Sequence, residues 1–140
     1  MKYESERQVA VDAVLRASRL CQAVQARLVA GTTLTKGDRS PVTVADFGAQ
    51  AIVSHLLAAA FPADPLVGEE DADALREAGN EALKQKVLDG VATVLPELSE
   101  EEVLGAIDRG TYAGGGTGRH WTLDPIDGTK GFVDGNHEWV

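Results

Sequence analysis

Apolar residues recur along the first part of the chain at Ala10, Ala13, Val14, Ala17, Leu20, Cys21, Val24 and Leu28. That period, near 3.6, marks one face of an amphipathic helix and predicts a helix over residues 5–30. A second stripe, Ala45, Ala49, Ile52, Val53, Leu56 and Leu57, predicts a helix over residues 43–60 that stops before Pro62 and the Asp64-Pro65 pair. Thr43 and Asp46 have the spacing of a capping box that would open it. Between the two stripes, residues 31–39 are polar and contain Gly37-Asp38, so they read as a loop. Leu66-Val67 is a short apolar run that reads as a strand delivering Gly68-Glu69-Glu70-Asp71 at its end. Residues 72–108 are rich in helix formers, with a second capping box at Ser99 and Glu102. Gly110, Gly114, Gly115, Gly116 and Gly118 then lead to a second strand, Trp121-Thr122-Leu123, which runs into Asp124-Pro125-Ile126-Asp127-Gly128-Thr129.

Length and charge narrow the function classes. At 140 residues, with 44% hydrophobic positions, the chain suffices for one domain or part of a larger one. Its 13 Lys and Arg against 22 Asp and Glu give a net charge of −9. An acidic chain lacks the basic face that neutralises phosphates, so a nucleic-acid backbone or an anionic membrane surface is not expected as a partner. Acidity concentrates in residues 62–108, which hold 13 acidic and 3 basic groups, most of them expected on solvated helix faces. Cys21 is the single cysteine and falls within the first apolar stripe, so it reads as a small buried hydrophobe in a chain with no internal disulfide. No apolar run reads as a membrane span, and Met1 to Arg7 lack a signal-peptide core, which together suggest a cytoplasmic protein.

The chemistry concentrates in residues 121–132. An apolar strand ends there in two carboxylates, Asp124 and Asp127, spaced i, i+3 around Pro125 and followed at once by Gly128 and Thr129. Proline and glycine so close together force a turn. A turn of this kind can aim two carboxylates and an intervening carbonyl at one point, a donor set suited to a hard cation such as Mg²⁺. A helix starting near Gly128 and Thr129 would offer free N–H groups to a phosphate beside that cation. Each of these residues also has a structural explanation: Asp124 and Asp127 as turn formers, Glu69 as a solvated strand-end acid, Asp46 as part of a helix cap, Thr129 as an N-cap. His55, His120 and His137 form no metal-binding spacing.

Three segments together, Lys36-x-Asp38-x-Ser40-Pro41-Val42-Thr43-x-x-Asp46, Gly68-Glu69-Glu70 and Trp121-x-Leu123-Asp124-Pro125-Ile126-Asp127-Gly128-Thr129-Lys130-Gly131-Phe132, resemble the inositol monophosphatase superfamily of metal-dependent, lithium-sensitive phosphatases. The Ser-Pro-Val-Thr element, the glycine-rich lead-in from Gly114 to Trp121 and Gly131 in place of the Asn usual in inositol monophosphatases resemble the 3′(2′),5′-bisphosphate nucleotidases within it. The resemblance implies an α/β fold, a layered α+β sandwich of the sugar-phosphatase type in which the two long helices pack on a mostly antiparallel sheet. It implies that Glu69, Asp124 and the Ile126 carbonyl hold one Mg²⁺, that Asp124 and Asp127 hold a second, and that Asp46 and Glu69 serve a third. Asp46 and Thr129 would then be catalytic, orienting and deprotonating the attacking water, with the Gly128 and Thr129 N–H groups on the phosphate. The implied substrate is a small molecule, adenosine 3′,5′-bisphosphate, or the related sulfated nucleotide of sulfate assimilation. Family members continue well past this motif, so residues 1–140 are expected to form an amino-terminal metal-binding portion. Residues 133–140 depart from the family's continuation.

Other readings fit less of the chain. Gly114 to Gly118 lack the Gly-Lys-Ser/Thr end of a nucleotide-binding loop, and Asp124 to Asp127 break the alternation of an EF-hand. A haloacid-dehalogenase phosphatase would use Asp124 as a covalent nucleophile, but its two Asp stand one residue closer together than here. Inositol phosphate as substrate and a non-catalytic metal-binding fragment remain alternatives.

Overall fold

The computed structural model describes residues 2–29, 40–127 and 132. Helix α1 runs Glu4–Val29 and α2 runs Ser40–Ala60; strand β1 is Leu66–Val67; α3 is Asp73–Arg76, joined by a 3₁₀ turn at Ala78–Asn80 to α4, Glu81–Ala92; α5 is Glu100–Asp108 and β2 is Trp121–Thr122. Both long helices fall where periodicity puts them, with one correction at the start of α2. Thr43 and Asp46 lie inside that helix and do not cap it. Pro41 sits in its first turn, where a missing N–H costs no hydrogen bond, so the helix can begin before Thr43.

Helix α2 is the centre of the molecule, with α1 packed on one side and α4 and α5 on another. Being covered from several directions, it buries Val44, Phe47 and Ala51 as well as Ala45, Ala49, Ile52, Val53 and Leu57, whereas a single stripe would bury only the latter. This also corrects the membrane reading: the window Thr43–Ala60 is long and apolar enough to span a bilayer, with mean hydropathy 1.2, but 61% of it is buried inside the protein. Helix α1 meets α2 through Ala13, Ala17, Leu20, Cys21 and Val24. Val14, expected in that stripe, is exposed, because α1 turns a narrower band toward α2 than its apolar residues could fill. Leu20 is the tightest point. A Cβ on Gly48 of α2 would lie 2.7 Å from Leu20 Cδ1, so the absent side chain at Gly48 lets the two helices approach.

The Ser99 capping box forms as its spacing predicts. Ser99 Oγ accepts from Glu102 N at 3.2 Å, and Ser99 N donates to the Glu102 carboxylate at 3.1 Å.

The described sheet differs from the mostly antiparallel one expected. β1 and β2 pair in parallel, Leu66 with Trp121 and Val67 with Thr122. Parallel neighbours need a long crossover, and residues 68–120, carrying α3 to α5, supply it. The antiparallel element is a single bridge on the other side of β1, between Val67 and Thr111. So short a ladder is braced from outside. Arg119, two residues before β2, places its guanidinium on both Asp64 oxygens at 2.9 and 3.0 Å and on Glu6 of α1 at 2.7 Å. Trp121 Nε1 donates to the same Asp64 at 3.1 Å. The Arg119 hydrogen bonds hold the Asp64 carboxyl below the usual carboxylate range.

Candidate active site

The two strands end side by side. Leu123 N donates to Val67 O at 2.8 Å, extending the ladder one step beyond β2. Glu69 and Asp124 each follow two residues after the last paired residue of their strand, Val67 and Thr122. The carboxyl end of parallel strands, where both chains turn away together, is the usual place for a ligand in such sheets.

Beyond β2, exposure alternates in a way that explains the i, i+3 carboxylates. Pro125 and Ile126 are buried, with Ile126 in the core cluster, while Asp124 and Asp127 on either side are exposed. The apolar pair anchors the turn and leaves both acids facing outward. Ile126, expected to act through its carbonyl, therefore also packs its side chain.

Asp46 comes from α2 and is half-buried. Its carboxyl is pushed up from 3.8 to about 7, first by burial and then by the charges of Glu70, Glu69 and Asp124. Acids from α2, the β1 end and the β2 end thus act on one another, and among the described residues no Lys or Arg is one of the groups that shift Asp46. Glu70 is likewise pushed up, by burial and then by Glu69 and Asp71. A hard cation would relieve this imbalance, and the donors are all oxygen, so the set fits a Mg²⁺-like ion in kind. Among the described residues, no three His, Cys, Asp or Glu side chains are close enough to enclose an ion.

Gly128 and Thr129 lie outside the described residues, as do Lys36, Asp38 and residues 133–140. Phe132 lies within them; it is fully buried, and its carbonyl accepts from Gln25 Nε2 of α1 at 3.0 Å.

Sequence reasoning missed the groups that shape the acidic loop. Gln50 on α2 is fully buried, and its Oε1 accepts from Glu69 N at 3.2 Å and Glu70 N at 3.0 Å. Its Nε2 donates to Glu70 O at 2.7 Å and to Ile107 O at 2.8 Å. At the near end of the loop Gly68 N donates to Gly110 O at 2.8 Å, and at the far end Ala72 N donates to Asp108 Oδ1 at 2.8 Å. Both glycines are needed for the Gln50 side chain to fit. A Cβ on Gly68 would lie 2.7 Å from Gln50 Oε1, and one on Gly110 would overlap Gln50 Nε2 and approach Gly68 Cα at 3.2 Å. The available signal was Gln50 itself, a lone amide among Ala49, Ala51, Ile52 and Val53, because buried amides are hydrogen-bonded.

Comparison with known proteins adds to this geometry. The Inositol monophosphatase family matches residues 2–139. A 3′(2′),5′-bisphosphate nucleotidase of Schizosaccharomyces pombe is 50% identical, the match covering 96% of this chain and 42% of that protein. A 3′(2′),5′-bisphosphate nucleotidase 1 of Arabidopsis thaliana is 44% identical over 97% of this chain and 41% of its own length. A 3′(2′),5′-bisphosphate nucleotidase of Oryza sativa is 43% identical over 96% and 40%. The chain spans about two-fifths of the length of these curated relatives.

Proposed function

The chain belongs to the inositol monophosphatase family, and on that premise we propose that it is the metal-binding portion of a phosphoric monoester hydrolase acting on adenosine 3′,5′-bisphosphate or its sulfated relative. The reaction would release the 3′-phosphate and leave AMP. The observation that carries this reading is the placement of Glu69 and Asp124 just beyond the paired carboxyl ends of β1 and β2, with Asp46 of α2 within reach of their charges. The nucleotidase names of relatives at 43–50% identity support the substrate class.

Glu69, Asp124, the Ile126 carbonyl and Asp127 would hold Mg²⁺. When bound, the ion supplies Lewis-acid polarisation of the phosphoryl group and neutralises charge on the leaving oxygen. A bisphosphate approaching a chain of net charge −9 also needs cationic screening, which the acids alone cannot give. Asp46, whose carboxyl is pushed up to about 7 by burial and its acidic neighbours, would take the proton of the attacking water. Thr129 would orient that water, and the Gly128 and Thr129 N–H groups would hold the phosphate. As water bonds to phosphorus the bond from phosphorus to the ribose 3′ oxygen breaks, and that oxygen takes up a proton.

The test is Mg²⁺-dependent phosphate release from adenosine 3′,5′-bisphosphate in ¹⁸O-water, with Asp124→Asn as control. Release that carries solvent label in a single turnover and is lost in the variant is expected. Retention of configuration at a chiral phosphorus, or an acid-trapped phosphorylated Asp124, would instead indicate a covalent aspartyl route, and faster release from inositol phosphate would overturn the substrate. A second reading is that residues 1–140 bind metal without turnover of their own, since among the described residues no three His, Cys, Asp or Glu side chains enclose an ion. Mg²⁺ binding without release would support it.

A further inference from the structure

We infer that Gln50 is a positioning residue that sets the backbone of the Glu69–Glu70 loop and thereby the cation affinity of the acids at the strand ends. The inference rests on the metal reading above. Gln50 touches no candidate ligand oxygen. It acts through main-chain groups alone, accepting from Glu69 N and Glu70 N and donating to Glu70 O and Ile107 O.

The chemistry explains why an amide is suited to this place. The loop presents two N–H donors and one carbonyl, and the C-terminal turn of α5 presents another carbonyl, so the central group must accept twice and donate twice. A carboxylate could accept but not donate, a Lys could donate but not accept, and an apolar side chain could do neither. The glycines on both flanks keep the space for it, since a Cβ on Gly68 or Gly110 would collide with the Gln50 amide. Glu69 is exposed, so little packing of its own side chain fixes it. Its position is inherited from its amide's bond to α2.

Two measurements separate positioning from general stabilisation. In the unaltered chain, native-state hydrogen exchange at the Glu69 and Glu70 amides should be slowed well below the rate of exposed loop amides. Unprotected exchange there would overturn the inference without any variant. In Gln50→Met, with the folded fraction confirmed by circular dichroism, calorimetric titration with MgCl₂ should show Mg²⁺ binding weakened by about 10-fold or more, the usual effect of losing a group that orients a ligand. A variant of equal thermal destabilisation on α4, which among the described residues makes no hydrogen bond to residues 68–72, such as Val87→Ala, should bind as the unaltered chain does. Unchanged Mg²⁺ affinity in folded Gln50→Met, or equal weakening in the remote variant, would overturn the positioning role alone. Failure of the unaltered chain to bind Mg²⁺ would overturn the metal reading on which it stands.

Discussion

Replacing Asp46 with Asn removes a charge that the ion-free fold holds at a cost. The carboxyl is raised from 3.8 to about 7 by burial and by Glu70, Glu69 and Asp124. Below pH about 4 the folded and unfolded chains both carry the proton, and the site costs nothing. As pH rises toward 7 the unfolded chain gives its proton up freely while the folded chain resists, so the penalty grows, and above 7 it is constant. At about 1.4 kcal/mol per unit the full shift would amount to about 4 kcal/mol. Asp46 is only half-buried, so water screens much of this, and about 2 kcal/mol is the appropriate expectation. Urea denaturation in EDTA should therefore show Asp46→Asn more stable than the unaltered chain by about 2 kcal/mol at pH 8. The two should converge near pH 4, with equal m-values throughout. Addition of Mg²⁺ should stabilise the unaltered chain more than the variant, because a cation relieves the repulsion that Asn has already removed. A constant difference between pH 4 and pH 8, or a variant less stable at pH 8, would refute the electrostatic account.

Two further outcomes follow from the packing. Ser99→Ala should lower stability by about 1 kcal/mol through loss of the capping box, read as a fall in the urea midpoint at constant m, and an unchanged midpoint would show that α5 does not depend on its cap. Cys21 is 1% exposed and its thiol is pushed up to about 12, by burial and then by Asp46, so its reaction with a disulfide reagent at pH 8 should proceed no faster than opening of the α1–α2 pair; rapid labelling of the native chain would contradict that packing.

The helices were legible because their signal is local. α1 and α2 repeat apolar residues at helical spacing, and the Ser99 box announces the start of α5 within four residues. The capping reading of Thr43 and Asp46 failed because the same spacing occurs inside a helix whose first turn tolerates Pro41. Sheet direction was not legible. Two strands of two residues each carry no pattern that distinguishes parallel from antiparallel, and the crossover through α3 to α5 decides it. Of the candidate site, Asp124 and Asp127 could be named from the turn they form, and Asp46 and Glu69 from the family resemblance; burial and the charges of Glu70, Glu69 and Asp124 push the Asp46 carboxyl up. The groups that hold them could not be named. Gln50 and Asp108 are ordinary polar residues in sequence, and they acquire their roles only when α2, β1 and α5 meet.

The bonds that shape the acidic loop reach from Gln50 to partners 19, 20 and 57 positions along the chain. Gly-Glu-Glu is consequently not a portable motif. A synthetic peptide of residues 66–72 would keep every acid and lose every bond to Gln50 and Asp108, and grafting those seven residues onto another strand end would transplant charge without shape. The smallest transferable unit extends from α2 through Gly110, so this loop can be moved only together with the helices that define it.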